Sequence, residues 1–311
     1  MKSYFLPIGL ILAIALAMMA PGPGQWLSEK NLTSYFIAAI FFMNGYDFVV
    51  KELGFNFRLL SHVFSISLIS LLLTPIMVYG MSSGVDLGFD WMLGLYTIAC
   101  VPTTLSSGIV IAAQAGGNKS LAVMLTMVMS FLGVLILPFT LSWLLQAYGN
   151  TSIDSLSLMM SLCYKVLFPF LLGYVCQQFI WRGHRFGTVL PSSIVILIVY
   201  YSSSRSQDLM LSSTLLEITL AIVISTGLHL VLIGLDYLYV KVMEIKAENM
   251  ISFVICGSQK TLPLSVAVLA GFSLETGQAL VFCICFHFSQ LILDSILAMY
   301  LKDRVRFVSK I

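Results

Sequence analysis

The sequence predicts an all-α polytopic membrane protein: ten transmembrane helices in two inverted five-helix repeats. Three observations predict it. Of the 311 residues, 59% are hydrophobic and only 10% charged, against about 25% charge in an ordinary soluble domain. The apolar residues fall in runs of roughly 20, the length a helix needs to cross a bilayer at about 1.5 Å per residue. Lys and Arg gather in alternate connections between those runs.

Taken in order, the first run covers 4–20. It follows a lone Lys2 and imitates a signal peptide, but the many runs behind it make it a first helix, with Pro21-Gly22-Pro23-Gly24 as its exit loop. Helix 2 is expected over 32–50 and holds Asn44 and Asp47; helix 3 covers 59–80. Helix 4 covers 91–116 and helix 5 covers 119–147, joined by a tight Gly116-Gly117-Asn118-Lys119 turn in which Asn118 caps helix 5. Helix 6 covers 157–180 and helix 7 covers 188–204. Helix 8 is expected over 211–240, helix 9 over 249–271 and helix 10 over 276–301.

With the N-terminus inside, the inner segments hold Lys2, Lys51, Arg58, Lys119, Arg182, Arg185, Lys241, Lys246, Lys302, Arg304, Arg306 and Lys310. The outer loops hold Lys30 and Arg205. This bias places both termini in the cytoplasm and asks for an even number of spans. The repeats are then 1–150 and 151–311, entering the membrane from opposite sides.

Two spans carry features that a plain anchor does not need. Helix 4 is broken near Pro102–Gly108 by a proline and the hydroxyls of Thr103, Thr104, Ser106 and Ser107. Helix 9 is broken near Gly257–Pro263, with Gln259, Lys260 and Thr261 inside the break. Backbone freed at membrane depth is tolerated only where protein or a wet cavity satisfies it, and paired breaks in two halves point to a central transporter site. Lys260 is the sharpest single signal, because an ammonium at that depth needs a cavity or a partner. It can hold an anionic cargo, stand in for a bound cation, or carry a proton; the alternative is a structural ion pair with Asp236 or Asp294. Gln114 and Thr126 are placed beside the same cleft. Glu217 is a further polar group near an outer end; His229, Asp236, His287 and Asp294 are candidates to line the core side of the bundle, with snorkelling to the surface as the alternative for Asp236 and Asp294.

Other chemistry has no foothold. There is no HExxH pattern and no strand-to-helix nucleophile elbow, so no enzyme is expected. The six cysteines lie in apolar runs without zinc spacing and read as buried free thiols. No cofactor or nucleic-acid partner is indicated. Trp26, Trp91, Trp143 and Trp181 fall at expected interfaces as lipid anchors, and Arg182, His184 and Arg185 form a solvated inner loop. Gly9 and Gly45 suit packing within one chain as well as between chains, so the state is a monomer or a loose homo-oligomer.

Three segments carry a resemblance: CVPTTLSSGIVIAAQAGGNKSLAV (100–123), SFLGVLILP (130–138) and ICGSQKTLPLSVAV (255–268). In these the chain resembles the bile acid:sodium symporter superfamily, and more closely its solute carrier family 10 member 7-like branch. The resemblance implies a panel domain of helices 1, 2, 6 and 7 and a core domain of helices 3–5 and 8–10. Broken helices 4 and 9 would cross in the core, with substrate in the cleft between domains. It also implies cation ligands at Ser107, Gly108, Ala122 and Thr126, and around Ile255–Gln259 with Ser70. The wider family has oxygen-bearing side chains where this chain has Gly108, Ala122 and Ile255, so any sodium site is degenerate. The expectation is a secondary transporter moving a small organic anion by alternating access, with substrate contacts from Thr103, Thr104, Ser106, Ser107, Gln114, Gln259, Lys260 and Thr261. Sodium ligands are expected from Ser107, Thr126, Gln259 and Ser70. Proton-coupled or uncoupled transport with Lys260 in place of the cation, a receptor-like protein on the same scaffold, and a channel stay open. Compact loops suggest a bacterial inner membrane.

Overall fold

The computed structural model describes residues 5–30, 32–47, 57–82, 84, 88–105, 107–148, 154–179, 186–187, 189–270, 272 and 277–308. Ser106 lies outside the described residues, as do Lys2, Lys51, Trp181, Arg182, His184, Arg185 and Lys310. The described chain is all helix. In order it forms α1 (Phe5–Met19), α2 (Pro21–Glu29), α3 (Thr33–Tyr46), α4 (Phe57–Ser82), α5 (Phe89–Cys100), α6 (Ser107–Gln114) and α7 (Lys119–Ala147). There follow α8 (Leu156–Phe179), α9 (Val189–Arg205), α10 (Gln207–Ser212), α11 (Leu215–Val242), α12 (Ala247–Ser258), α13 (Leu262–Leu269) and α14 (Gly277–Val308).

This overturns the ten-span count and, with it, the pair of five-helix repeats. Among the described residues, six helical stretches are long and apolar enough to cross a membrane, or seven if the bent pair α1–α2 is one span. The reason is backbone continuity. α3 keeps only 14 residues, about 21 Å of helix against a hydrocarbon core of roughly 30 Å. α5 and α6 are 12 and 8 residues, and α9 is 17. The expected exit loop at Pro21–Gly24 is instead the first turn of α2, bent 98° from α1. Proline fits there because a helix's first turn has no use for its missing N–H.

The six long spans are α4, α7, α8, α11, the α12–α13 pair and α14. Their burial differs sharply: 94% of the α12–α13 window is buried, against 22% for α8 and 28% for α11. The interrupted α12–α13 span is therefore the centre of the bundle, and Leu171, Val175, Ile222 and Val223 face outward as lipid-facing surface. Around the centre, α5 and α11 pack on α14, while α12 packs on α6, α7 and α11. Elsewhere α1 and α2 pack on α9, and α3 packs on α8.

The α3–α8 contact depends on glycine. A Cβ on Gly45 would lie 2.7 Å from the carbonyl carbon of Phe170 and 2.9 Å from its Cα; one on Gly173 would lie 2.9 Å from the backbone of Phe42 and Tyr46. Gly9 faces the side chain of Ile196, so both glycines noted in the sequence pack inside one chain. Small residues let membrane helices approach this closely. Gly45→Ala is expected to destabilise the fold by about 1–3 kcal/mol or more. Gly227→Ala, where no atom lies within 4 Å of the new Cβ, is expected to leave the unfolding temperature in detergent unchanged or raised. Equal melting of Gly45→Ala and the unsubstituted protein would refute this account.

Candidate functional site

The two interruptions meet. α5 ends at Cys100, and Val101 turns extended (ψ 148°) ahead of Pro102, because the proline ring disfavours helical geometry in the residue before it. α12 ends at Ser258, Gln259 turns extended (ψ 154°), and α13 restarts with Pro263 in its first turn. The Thr261 N–H donates to the Pro102 carbonyl at 2.9 Å, tying one break to the other.

Side chains complete the junction. Thr104 Oγ1 donates to Gln259 Oε1 at 2.6 Å, and Ser107 Oγ donates to the same oxygen at 3.2 Å. Thr104 and Ser107 hydroxyls are 2.8 Å apart, and the Gly108 N–H donates to Thr104 Oγ1. On the far side of the amide, Gln259 Nε2 donates to Asp294 Oδ2 at 2.6 Å. Asp294 Oδ1 pairs with His229 Nε2 at 2.9 Å. One polar chain therefore runs from α11 through α14 and the α12–α13 break to the start of α6. Gln259, His229 and Asp294 are fully buried. A buried polar network of this kind is favourable only when its members are satisfied; its one open end is His229 Nδ1, which has no partner among the described residues.

Lys260 sits beside this chain, fully buried. Its Nζ donates to the carbonyl of Ser70 at 2.7 Å and to that of Ala99 at 3.0 Å. Both carbonyls are free for a local reason. Ser70 lies in a π-helical turn, Ile69–Leu73, inside α4, where the Thr74 N–H goes to Ile69 and Pro75 has no N–H to give; Ala99 lies in the last turn of α5, where carbonyls lack an intrahelical donor. Lys260's own main chain is held by Gln290: its N–H donates to Oε1 at 2.8 Å and its C=O accepts from Nε2 at 2.9 Å. Gln290 also reaches His287 Nδ1 at 2.9 Å.

The structure sorts the residues singled out in the sequence. Thr103, Thr104, Gln259, Lys260 and Thr261 are buried at the junction, and Ser107 is half-buried there. Gln114 is exposed at the far end of α6, two turns from Ser107. Thr126 is buried but its hydroxyl donates to the Val123 carbonyl of its own helix at 3.0 Å. Ser70 contributes its carbonyl to Lys260, while its hydroxyl has no partner among the described residues. Asp236 and Asp294 do not snorkel: both are buried, at 1% and 0% exposure. Asp47 is structural, accepting from the Phe186 and Gly187 N–H groups at 2.9 and 2.7 Å. Glu217 closes a capping box with Thr214. The Gly-Gly-Asn-Lys turn docks on α12: Asn118 caps α7 through Leu121 and bonds Asn249 and the Glu248 carbonyl.

Sequence reasoning missed Gln290. Its signal was present, since His287, Gln290 and Asp294 recur at spacings of three and four, one face of a helix. The Ser70 and Ala99 carbonyls had no signal, being main-chain groups.

Compared with known proteins, residues 4–303 match the family described as SBF-like CPA transporter family. The chain is 30% identical to a probable sodium/metabolite cotransporter BASS4, chloroplastic, of Oryza sativa subsp. indica, over 97% of this chain and 76% of the relative. It is 28% identical to the Arabidopsis thaliana protein of that name, over 94% and 71%. It is 26% identical to sodium/bile acid cotransporter 7 of Danio rerio, over 86% and 83%.

Proposed function

This chain belongs to the SBF-like CPA transporter family, and from that premise we propose that it moves a small organic anion across its membrane by alternating access. Membership makes it a multi-pass secondary active transporter rather than an enzyme. The observation that carries the finer reading is the junction of the two interrupted helices, with a buried ammonium beside it. Cargo cannot reach Lys260 or Gln259 in this conformation, since both are fully buried, so access requires the surrounding helices to part. The proposed motion divides α1–α3, α8 and α9 from the remainder; the packing of α1 on α9 and of α3 on α8 supports that division.

In this reading the anion is held by the Lys260 ammonium, which has three N–H donors and uses two on carbonyls. Hydroxyls of Thr103, Thr104, Ser107 and Thr261 and the Gln259 amide orient it. Thr103 Oγ1 is buried without a partner among the described residues, which leaves it free for cargo.

Lys260 also takes the place of a coupling cation. Of the residues proposed for sodium, only the side-chain oxygens of Ser107 and Gln259 meet; Thr126 is turned to its own helix, and the Ser70 carbonyl is taken by the ammonium. Buried Ile255 and Ala122 supply no side-chain oxygen. The relatives' names carry sodium; for this chain we propose sodium-independent transport. We place the protein in a bacterial inner membrane, supported by its compact loops.

Uptake by proteoliposomes from a panel of radiolabelled carboxylate and sulfonate anions tests this reading. The expected result is accumulation of at least one anion, unchanged when choline replaces sodium. No uptake across the panel removes the transport reading, and a strict sodium requirement removes the substitution of Lys260 for the ion.

A further inference from the structure

A second acidic group lies next to this junction and takes no part in its hydrogen bonding. Asp236, in α11, is 1% exposed. Neither carboxyl oxygen has a hydrogen-bond partner among the described residues. Its Oδ2 packs against the Cα of Gly257, so closely that a Cβ there would collide with it, and the Ile66 side chain borders the same spot. Gly257 is two residues before the α12–α13 break. Lys260 acts on Asp236 through space, but the ammonium's hydrogen bonds go to Ser70 and Ala99 instead.

A bare carboxylate in such a place is unfavourable, and what neutralises it is decided by space and donors. A metal cation needs several converging oxygens, and on the side facing Gly257 the carboxylate meets glycine backbone and the Ile66 side chain. A proton needs no added volume. Of the other titratable groups on the packed elements, His287, on α14, is buried, with Nδ1 on Gln290 and Nε2 without a partner among the described residues. His229 and Asp294 are paired with each other, and His62, one turn before Ile66 on α4, is held by Tyr239 at 2.8 Å. Cys256, on α12, is a buried free thiol.

We propose that Asp236 is a proton-binding site: its carboxyl group carries a proton in this conformation and releases it when the Lys260 ammonium leaves its two carbonyls for the carboxylate. On release the O–H bond breaks, its electron pair stays on the carboxylate oxygen, and the proton passes to water. The carboxylate that remains is paired by the ammonium, so no isolated charge is left in the bundle. That this exchange couples proton movement to cargo rests on the transport reading above; the proton site itself does not.

Infrared difference spectroscopy of the full-length protein in lipid nanodiscs, titrated from neutral to alkaline buffer, tests it. The wild type is expected to show the carbonyl stretch of a carboxylic acid free of hydrogen bonds, and Asp236→Asn to lack it. Lys260→Met, which removes the partner for the carboxylate, is expected to hold the band to higher pH than the wild type. A wild-type spectrum without the band overturns the proposal, and so does a band that persists in Asp236→Asn. Identical titration of wild type and Lys260→Met overturns the exchange. Should Asp236→Asn fail to fold, carbon-13 labelling of aspartate in the wild type serves: a band that does not shift is not an aspartate and overturns the assignment. Null uptake with the band present removes the transport reading alone.

Discussion

Lys260→Ala is expected to abolish anion uptake and to lower stability by about 3–5 kcal/mol. Two costs combine. The Ser70 and Ala99 carbonyls lose their donor at full burial, at about 1–3 kcal/mol for each unsatisfied group. The four-carbon stem also leaves a cavity at the most buried place in the bundle. Lys260→Met separates these costs. It refills the volume and removes a desolvated charge, which offsets part of the polar loss, so a smaller drop of about 1–3 kcal/mol is expected. Uptake is expected to be lost in both variants, because the ammonium and not the stem meets the anion. The checks are the unfolding midpoint in detergent and uptake at equal reconstitution. Uptake retained in Lys260→Met would reduce Lys260 to a structural cap on two helix interruptions.

Asp294→Ala is expected to cost about 2–6 kcal/mol, about 1–3 kcal/mol for each of two buried groups left without a hydrogen-bond partner. It leaves His229 Nε2 and Gln259 Nε2 without their acceptor, both fully buried. Asp294→Asn is expected to cost less, since its one remaining oxygen can still accept from a neighbour. The chain also predicts coupling: with Gln259 freed, its amide can turn, and Thr104 and Ser107 lose a fixed acceptor. A double-mutant cycle of Asp294→Ala with Gln259→Leu is expected to show about 0.5–3 kcal/mol of interaction energy. Strict additivity would mean that the hydrogen bonds across the break do not act as one unit.

The two interruptions were legible before any coordinates. Pro102 and Pro263 cannot sit in a helix interior without loss of a hydrogen bond, and the polar residues beside them had no place facing lipid. The expected breaks at 102–108 and 257–263 overlap the non-helical residues 101–105, after α5 ends at Cys100, and 259–261, between Ser258 and Leu262. The helical stretches at α4, α7, α8, α11 and α14 were legible for a different reason, as long apolar runs. The span count was not. Hydropathy measures the length of an apolar run, whereas crossing requires unbroken helix, and α3 stops at Tyr46 after 14 residues. Depth was misjudged as well. Asp236 and Asp294 lie near helix ends in the sequence, yet α12, α13 and α14 enclose that level of the bundle and bury both.

The sequence by itself determined that this protein lives in lipid and where its helices must yield, because composition and proline act locally. Only the tertiary structure decided what meets at those places: Gln259 between Thr104 and Asp294, and Lys260 on the carbonyls of Ser70 and Ala99. The physical reason is that a carbonyl is identical at every residue. Whether it is free to receive an ammonium depends on how helices from distant parts of the chain are packed around it.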